Sequence, residues 1–182
     1  MYQDWNYKIT IFDLDDCIVY SSAKALIKDK LTGKIIKELT SAEFTNLQLK
    51  DNEELDLNQF NEIDYLIKGS INTKIVNIFR EDYNNNKPIA IITARADSIL
   101  VKTYLNTLGF DIPFDMIYAV GNIKYNGNTA LKKKQAFIEL IDKGYKEFIY
   151  YDDDIRNLDE VKKLESKFNI KIEVFHVKNE TN

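Results

Sequence analysis

The sequence predicts an α/β domain: a Rossmann-like, doubly wound parallel sheet with helices on both faces and a small insertion after the first strand. Three observations predict it. Short apolar runs at residues 88–92, 116–120 and 147–151 have the form of strands buried on both faces. Helix-period segments lie between them, and strand-helix alternation at this spacing argues for a parallel sheet. Only residues 20–69 break the rhythm.

The elements follow in order. Tyr7-Lys8-Ile9-Thr10-Ile11-Phe12 alternates weakly, is rich in β-formers and runs into a cluster of aspartates, the pattern of a strand ending at a polar loop. Ala25-Leu26-Ile27 and Lys34-Ile35-Ile36 flank Leu31-Thr32-Gly33 and read as a hairpin. Thr40-Ser41-Ala42-Glu43 is a capping-box pattern opening a short helix. Residues 51–56 are acidic and read as a solvated loop. A structureless loop as long as 20–69 is unusual in a compact domain. The expected division is therefore a core of residues 1–19 and 70–182, with 20–69 as a small cap of hairpin plus short helix.

Four helices complete the pattern. Residues 71–83 place Ile71, Ile75, Ile78 and Phe79 on one face. Residues 97–108 align Leu100, Val101, Tyr104, Leu105 and Leu108, with Gly109 as a stop. Residues 131–141 align Leu131, Ile138 and Ile141 before Gly144, and 155–168 align Leu158, Val161, Leu164 and Phe168. Ile170-Lys171-Ile172-Glu173-Val174-Phe175 alternates, as an edge strand does.

Bulk properties exclude several classes. The net charge of −4 gives no general attraction to nucleic acid, although a local basic patch is compatible with it. Cys17 is the single cysteine, so no intrachain disulfide is possible and an oxidising compartment is not indicated. The first seven residues are polar and aromatic, unlike the core of a signal peptide. No apolar run approaches the ~18 to 20 residues that span a bilayer. The expected location is cytoplasmic, without a membrane partner.

Four local features carry chemistry. In Phe12-Asp13-Leu14-Asp15, two aspartates one residue apart project to the same side of an extended chain. At the C-terminal end of a parallel strand they sit where open α/β sheets hold ligands. One carboxylate there can be a nucleophile and the other a general acid/base, although aspartates also populate ordinary turns. Ile92-Thr93-Ala94-Arg95 places a hydroxyl after a buried strand, where it can bond a phosphate oxygen; Thr93 or Asp97 can equally cap a helix. Lys132-Lys133-Lys134 lies near a helix start, where the dipole disfavours cations unless an anion is close. Helical phase with Ile138 and Ile141 puts Lys134 on the core side. Tyr151-Asp152-Asp153-Asp154 sets three acids after a buried strand, a suitable oxygen-ligand set for magnesium, with Asp154 as a helix-cap candidate.

Taken in order, strand-Asp-x-Asp, strand-Thr, helix-Lys and strand-Asp-Asp resemble the four motifs of the haloacid dehalogenase superfamily. Asp13 and Asp15 look like its first motif, Thr93 its second, Lys134 its third, and Asp152 with Asp153 its fourth. The resemblance covers residues 7 to about 168, and residues 20–69 match its cap position. Segments 39–44 and 55–60 are similar to small phage-encoded members, which would place the chain in a host cytoplasm. Cys17 departs from the pattern, which usually has threonine there.

The resemblance implies a magnesium-dependent phosphomonoester hydrolase. Asp13 would attack phosphorus to form an aspartyl-phosphate, and Asp15 would protonate the leaving alcohol and then activate water. Magnesium would sit among Asp13, the Asp15 backbone carbonyl and Asp153, with Asp152 orienting Lys134 or a metal-bound water. Dehalogenation needs no magnesium and leaves Asp152 and Asp153 without a purpose. Thr93-Ala94-Arg95 resembles the phosphatase half of phage polynucleotide kinase-phosphatase, so Arg95 would grip a second phosphate or a nucleic-acid backbone. The expected substrate is a nucleotide or a polynucleotide 3′-phosphate, with sugar phosphates, phosphoproteins and a catalytically silent binding module as alternatives.

Overall fold

The structure, a computed structural model, describes residues 7–40, Glu43 and 47–178. In chain order its regular elements are β1 (Lys8–Phe12), β2 (Val19–Tyr20), β3 (Ala25–Asp29), β4 (Ile35–Leu39), β5 (Glu53–Asp56), α1 (Ile63–Ile67), β6 (Ser70–Ile71), α2 (Thr73–Asn84), β7 (Ile89–Thr93), α3 (Ser98–Thr107), β8 (Ile117–Ala119), α4 (Thr129–Asp142), β9 (Glu147–Asp152), α5 (Ile155–Lys162), α6 (Leu164–Phe168) and β10 (Lys171–His176). The fold is α/β. Its five-stranded sheet runs β10-β9-β1-β7-β8, and every neighbouring pair is parallel.

The connections to β7 and β8 step one way from β1, and those to β9 and β10 step the other. Right-handed crossovers then put helices on both faces. Ring contacts agree. Phe137 of α4 packs on Phe148 and Tyr150 of β9, while Phe79 of α2 packs on Phe12, which stacks on Tyr151 of the same strand. Every residue of β7 is buried, as a central strand covered on both faces requires. β10 closes one edge, and its last two residues, Phe175 and His176, are exposed.

Asn72, Asp97, Asn128 and Asp154 cap α2, α3, α4 and α5, each accepting hydrogen bonds from first-turn amides. The cap at Asn72 starts α2 at Thr73 and leaves Ile71 in β6, exposed. The segment 155–168 is two helices, α5 and α6. The buried side of α4 also differs from expectation. It starts two residues before 131, and Lys133, Ala136, Phe137 and Leu140 face the core while Leu131 is exposed.

Residues between β2 and β6 form a separate small sheet in the order β4-β3-β5, antiparallel throughout. The chain leaves and re-enters the core through the β2–β6 pair, Val19 opposite Ile71 and Tyr20 opposite Ser70. Gly69 is required at that re-entry, because a Cβ there would collide with the Tyr20 carbonyl. Ala25, Ile27 and Leu39 form the insert's own core, with Leu55 and Phe60 against it. The acidic stretch expected as a loop is a strand. Asp56 is answered across the sheet by Lys28 at 2.5 Å and Glu53 locally by Lys50 at 3.7 Å, while Leu55 supplies the apolar face. The short helix expected at 40–43 falls largely outside the described residues. Its capping box is present: the Glu43 carboxylate accepts from Thr40 N–H at 2.8 Å, and Thr40 Oγ1 accepts from Glu43 N–H at 3.4 Å. The sequence reading of residues 1–6 also falls outside the described residues. No helix among the described residues is long and apolar enough to cross a membrane.

Candidate active site

Asp13, the first residue after β1, lies at the C-terminal end of the central strand, where the direction of strand progression reverses. Open α/β sheets bind ligands at this position. Asp13 is 5% exposed. One carboxylate oxygen accepts from Leu14 N–H at 2.8 Å, and the other pairs with Lys133 Nζ at 2.9 Å. Burial pushes the Asp13 carboxyl well above its usual range and outweighs the nearby ammonium; Asp152 and Asp153 push the same way.

Lys133, and not Lys134, is the lysine of the site. It is 1% exposed and bridges Asp13 to Asp152, the latter at 2.7 Å. Burial alone would lower its pKa, but the charges of Asp13 and Asp152 dominate and hold the ammonium above its ordinary value. Lys134 points to the surface and pairs with Glu160 at 2.7 Å. The expectation failed by one residue because the start of α4 and its buried stripe were both misplaced. With Ala136, Phe137 and Leu140 inward, the 3.6-residue period selects 133.

Asp152 is fully buried and heavily bonded. It accepts from Lys133, from the Tyr150 hydroxyl, from Asn157 Nδ2 at 2.9 Å and from Asp154 N–H at 2.8 Å. Strand alternation puts Tyr150 and Asp152 together under α4. Asp153 faces the pocket instead. Burial first, then the Asp152 charge, pushes its carboxyl up to about 7. Oxygens of Asp13, Asp152 and Asp153 lie within 4.8 Å of one another. Such crowding of anions suits a hard divalent cation with carboxylate ligands. Of the two, Asp153 has the freer oxygens for such a cation, because those of Asp152 are already saturated by protein donors.

Asp15 sits apart from that cluster. Arg95 grips it through two bonds, Nε to one oxygen and Nη2 to the other, each 2.8 Å. The same guanidinium donates to the Phe60 carbonyl of the insert and lies 5.5 Å from the centre of the Phe60 ring. Arg95 was expected to hold a substrate phosphate; the structure commits it to Asp15 and leaves its side chain 3% exposed. Thr93 is fully buried, and its hydroxyl oxygen accepts from Arg95 N–H at 3.2 Å. Of that motif only Ala94 lines the pocket. Gly121 lies behind this loop, where a Cβ would collide with the Ala94 carbonyl.

The pocket has a volume of about 460 Å³. Asp13, Asp15, Lys133 and Asp153 line it, joined by Asp16, Leu57 of the insert, Asn128 to Ala130 at the start of α4, and Arg156. Asp16 turns the chain with a φ of +57°, held by its N–H to the Val19 carbonyl at 2.8 Å. Sequence reasoning missed Asn157, Tyr150 and Asn128. A signal existed for the first, since an asparagine five residues after Asp152 falls in the first turn of the following helix. Cys17 is buried and donates weakly to the Tyr151 carbonyl at 3.6 Å. Burial, then Asp13, pushes its thiol well up, so it is a protonated packing residue and not a nucleophile.

No family model, curated protein or solved structure matches this chain.

Proposed function

We propose that this chain is a magnesium-dependent phosphomonoester hydrolase of the haloacid dehalogenase type, with residues 20–69 as its cap. The observation that carries the reading is the constellation around Asp13: a strand-end carboxylate in a pocket, oriented by a buried lysine, with two more carboxylates beside it and Asp15 across from it. The order of these residues along the chain matches the four-motif pattern, with Lys133 in the lysine position.

The chain's own residues supply the following steps. An oxygen of Asp13 attacks phosphorus, forming a P–O bond to the carboxylate as the P–O bond to the leaving alcohol breaks. Asp15, aimed by Arg95, gives a proton to the departing oxygen. Asp15 then takes a proton from water, whose oxygen attacks the aspartyl-phosphate. The P–O bond to Asp13 breaks, releasing inorganic phosphate and restoring the Asp13 carboxylate and the proton on Asp15. Lys133 balances charge on Asp13 and on the transferring phosphoryl group throughout, the positioning and electrostatic work that dominates phosphoryl transfer. Asp13, Asp153 and the carbonyl of Asp15 would hold magnesium, which when bound neutralises phosphoryl oxygens.

Nucleotides and polynucleotide 3′-phosphates are proposed as the substrate class on the sequence resemblance of Thr93-Ala94-Arg95 alone, since Arg95 is held by Asp15 and is not the phosphate grip. The test is hydrolysis of para-nitrophenyl phosphate with and without magnesium. Turnover is expected only with the metal, and Asp13→Asn should reduce it by at least ~10⁴-fold, because an amide cannot form the acyl phosphate. Turnover by Asp13→Asn above a few per cent of wild type removes Asp13 from the nucleophile role.

A further inference from the structure

A second groove, of about 1030 Å³, opens on the α2 face of the sheet. Tyr20, Tyr151, Phe175, His176, Lys74 and Lys178 are among its lining residues, and no carboxylate is among them. That charge balance is unlike the chain as a whole, which carries −4. Among the described residues neither Lys74 nor Lys178 is in an ion pair, and both are exposed.

The aromatic wall is ordered. Phe12, Tyr151 and Phe175 are in register across β1, β9 and β10. Their rings stack in a row, 5.1 Å apart at 7° and then 4.9 Å apart at 18°. Exposure rises along the row, from Phe12 at 0% to Phe175 at 44%. A lone exposed aromatic needs no explanation. This one ends a stack at a sheet edge, beside two lysines and the first turn of the twelve-residue α2, whose dipole favours anions. A planar apolar ring and a track of positive charge together are the chemistry that holds single-stranded nucleic acid.

We infer that this groove binds a single-stranded polynucleotide, with a base continuing the Phe12–Tyr151–Phe175 stack and backbone phosphates at Lys74 and Lys178. One contact links the groove to the candidate active site: a ring nitrogen of His176, which lines the groove, lies 2.9 Å from the carbonyl oxygen of Asp153, which lines the pocket. The strand's terminal phosphate as substrate rests on the phosphatase reading; the binding itself does not.

The test uses the full chain and a fluorescein-labelled twelve-nucleotide oligothymidylate with a 3′-hydroxyl, read by anisotropy in EDTA. Wild type is expected to bind it at least tenfold more tightly than the matching duplex. Phe175→Ala should weaken binding by roughly 5- to 100-fold, the usual loss for one stacking ring. Lys74→Glu with Lys178→Glu should weaken it further and lower the slope of log affinity against log salt by about 1.4, for two phosphate contacts to a single strand. Thermal melts establish that both variants fold. Absence of binding by wild type, equal binding by the variants or a preference for duplex overturns the inference. So does sedimentation showing a dimer that Phe175→Ala dissolves, which would make the groove a self-association face. Hydrolysis of para-nitrophenyl phosphate without oligonucleotide binding sinks the groove alone; binding without any phosphatase activity sinks the phosphatase reading alone.

Discussion

Two carboxylate groupings share the pocket, and they are built on opposite principles. Around Asp13, three carboxylates face one ammonium, Lys133, and burial, with the Asp152 charge behind it, raises the Asp153 carboxyl to about 7. Around Asp15, one carboxylate meets one guanidinium through two 2.8 Å bonds. The first grouping carries more carboxylate than ammonium, an excess that a proton or a further cation relieves. The second is closed and needs nothing more. Crowded carboxylates mark where a cation could be held, and a saturated pair marks where a side chain is being held in position. A buried carboxylate cluster that merely stabilised the fold would be matched by cations, because uncompensated burial of charge is costly.

Lys133 should produce the largest effect on this contrast. Lys133→Met leaves Asp13 and Asp152 buried without the cation they share. Breaking a buried pair from one side costs about 3–5 kcal/mol, and loss of one electrostatic stabiliser costs about 10²- to 10³-fold in turnover. Lys134→Met removes only a partly exposed pair with Glu160, and a change within ~0.5 kcal/mol with near wild-type turnover is expected. Urea melts and turnover at saturating magnesium measure both. Because Lys133→Met is expected to lower the folded fraction, magnesium-protected protein and Lys133→Arg serve as controls. Loss of activity in Lys134→Met with none in Lys133→Met reverses the assignment.

The balanced half should respond through geometry and protonation. Asp15→Asn is expected to lower turnover by ~10²- to 10⁴-fold. The loss should shrink for substrates with good leaving groups. Arg95→Lys keeps the charge but loses the planar two-point grip, and roughly tenfold slower turnover is expected, with the magnesium dependence unmoved. A shift in magnesium dependence for Arg95→Lys would join the two halves into one unit.

The difference between the halves also explains what could be read from the sequence. The sheet strands were legible because runs such as Ile89-Ala90-Ile91-Ile92 carry burial in composition alone, and the observed β7 begins one residue after the expected start. Asp13, Asp15, Asp152 and Asp153 were legible because strand-end acids have a fixed place in such sheets. Helical phase was not, because in α4 an ammonium occupies a core position that only its carboxylate partners make tolerable. Nor was the role of Arg95. Its partners, Asp15 and the Phe60 carbonyl, lie 80 and 35 residues away in sequence, and no local pattern encodes such contacts. The insert strand β5 was hidden by its acids, since cross-strand lysines are invisible until the register is known.

Asp153 gives the smallest change and the sharpest separation of the halves. Its carboxyl is raised in the folded protein, to about 7 from an ordinary value near 4. A raised carboxyl means that the folded state binds the proton more tightly than the unfolded chain does. Without metal, stability therefore falls as pH rises from about 4 to about 7, and the penalty stays in place above that. Asp153→Asn removes the ionisation, so in EDTA at pH 8 the variant should be more stable than wild type, by on the order of 1 kcal/mol after solvent screening. At pH 4 the advantage should vanish. Magnesium should reverse the order, because a ligand that binds only the folded state adds about 2.7 kcal/mol at a hundred times its Kd, and the variant lacks its best oxygen ligand. Asp152→Asn should behave differently: it weakens the bonds to Lys133, Tyr150 and Asn157 and lowers stability with or without metal. Urea midpoints at pH 4 and pH 8, each in EDTA and in magnesium, decide the matter. If Asp153→Asn is less stable than wild type in EDTA at pH 8, the carboxylate crowding is structural, and the unbalanced half of the pocket is not a cation site.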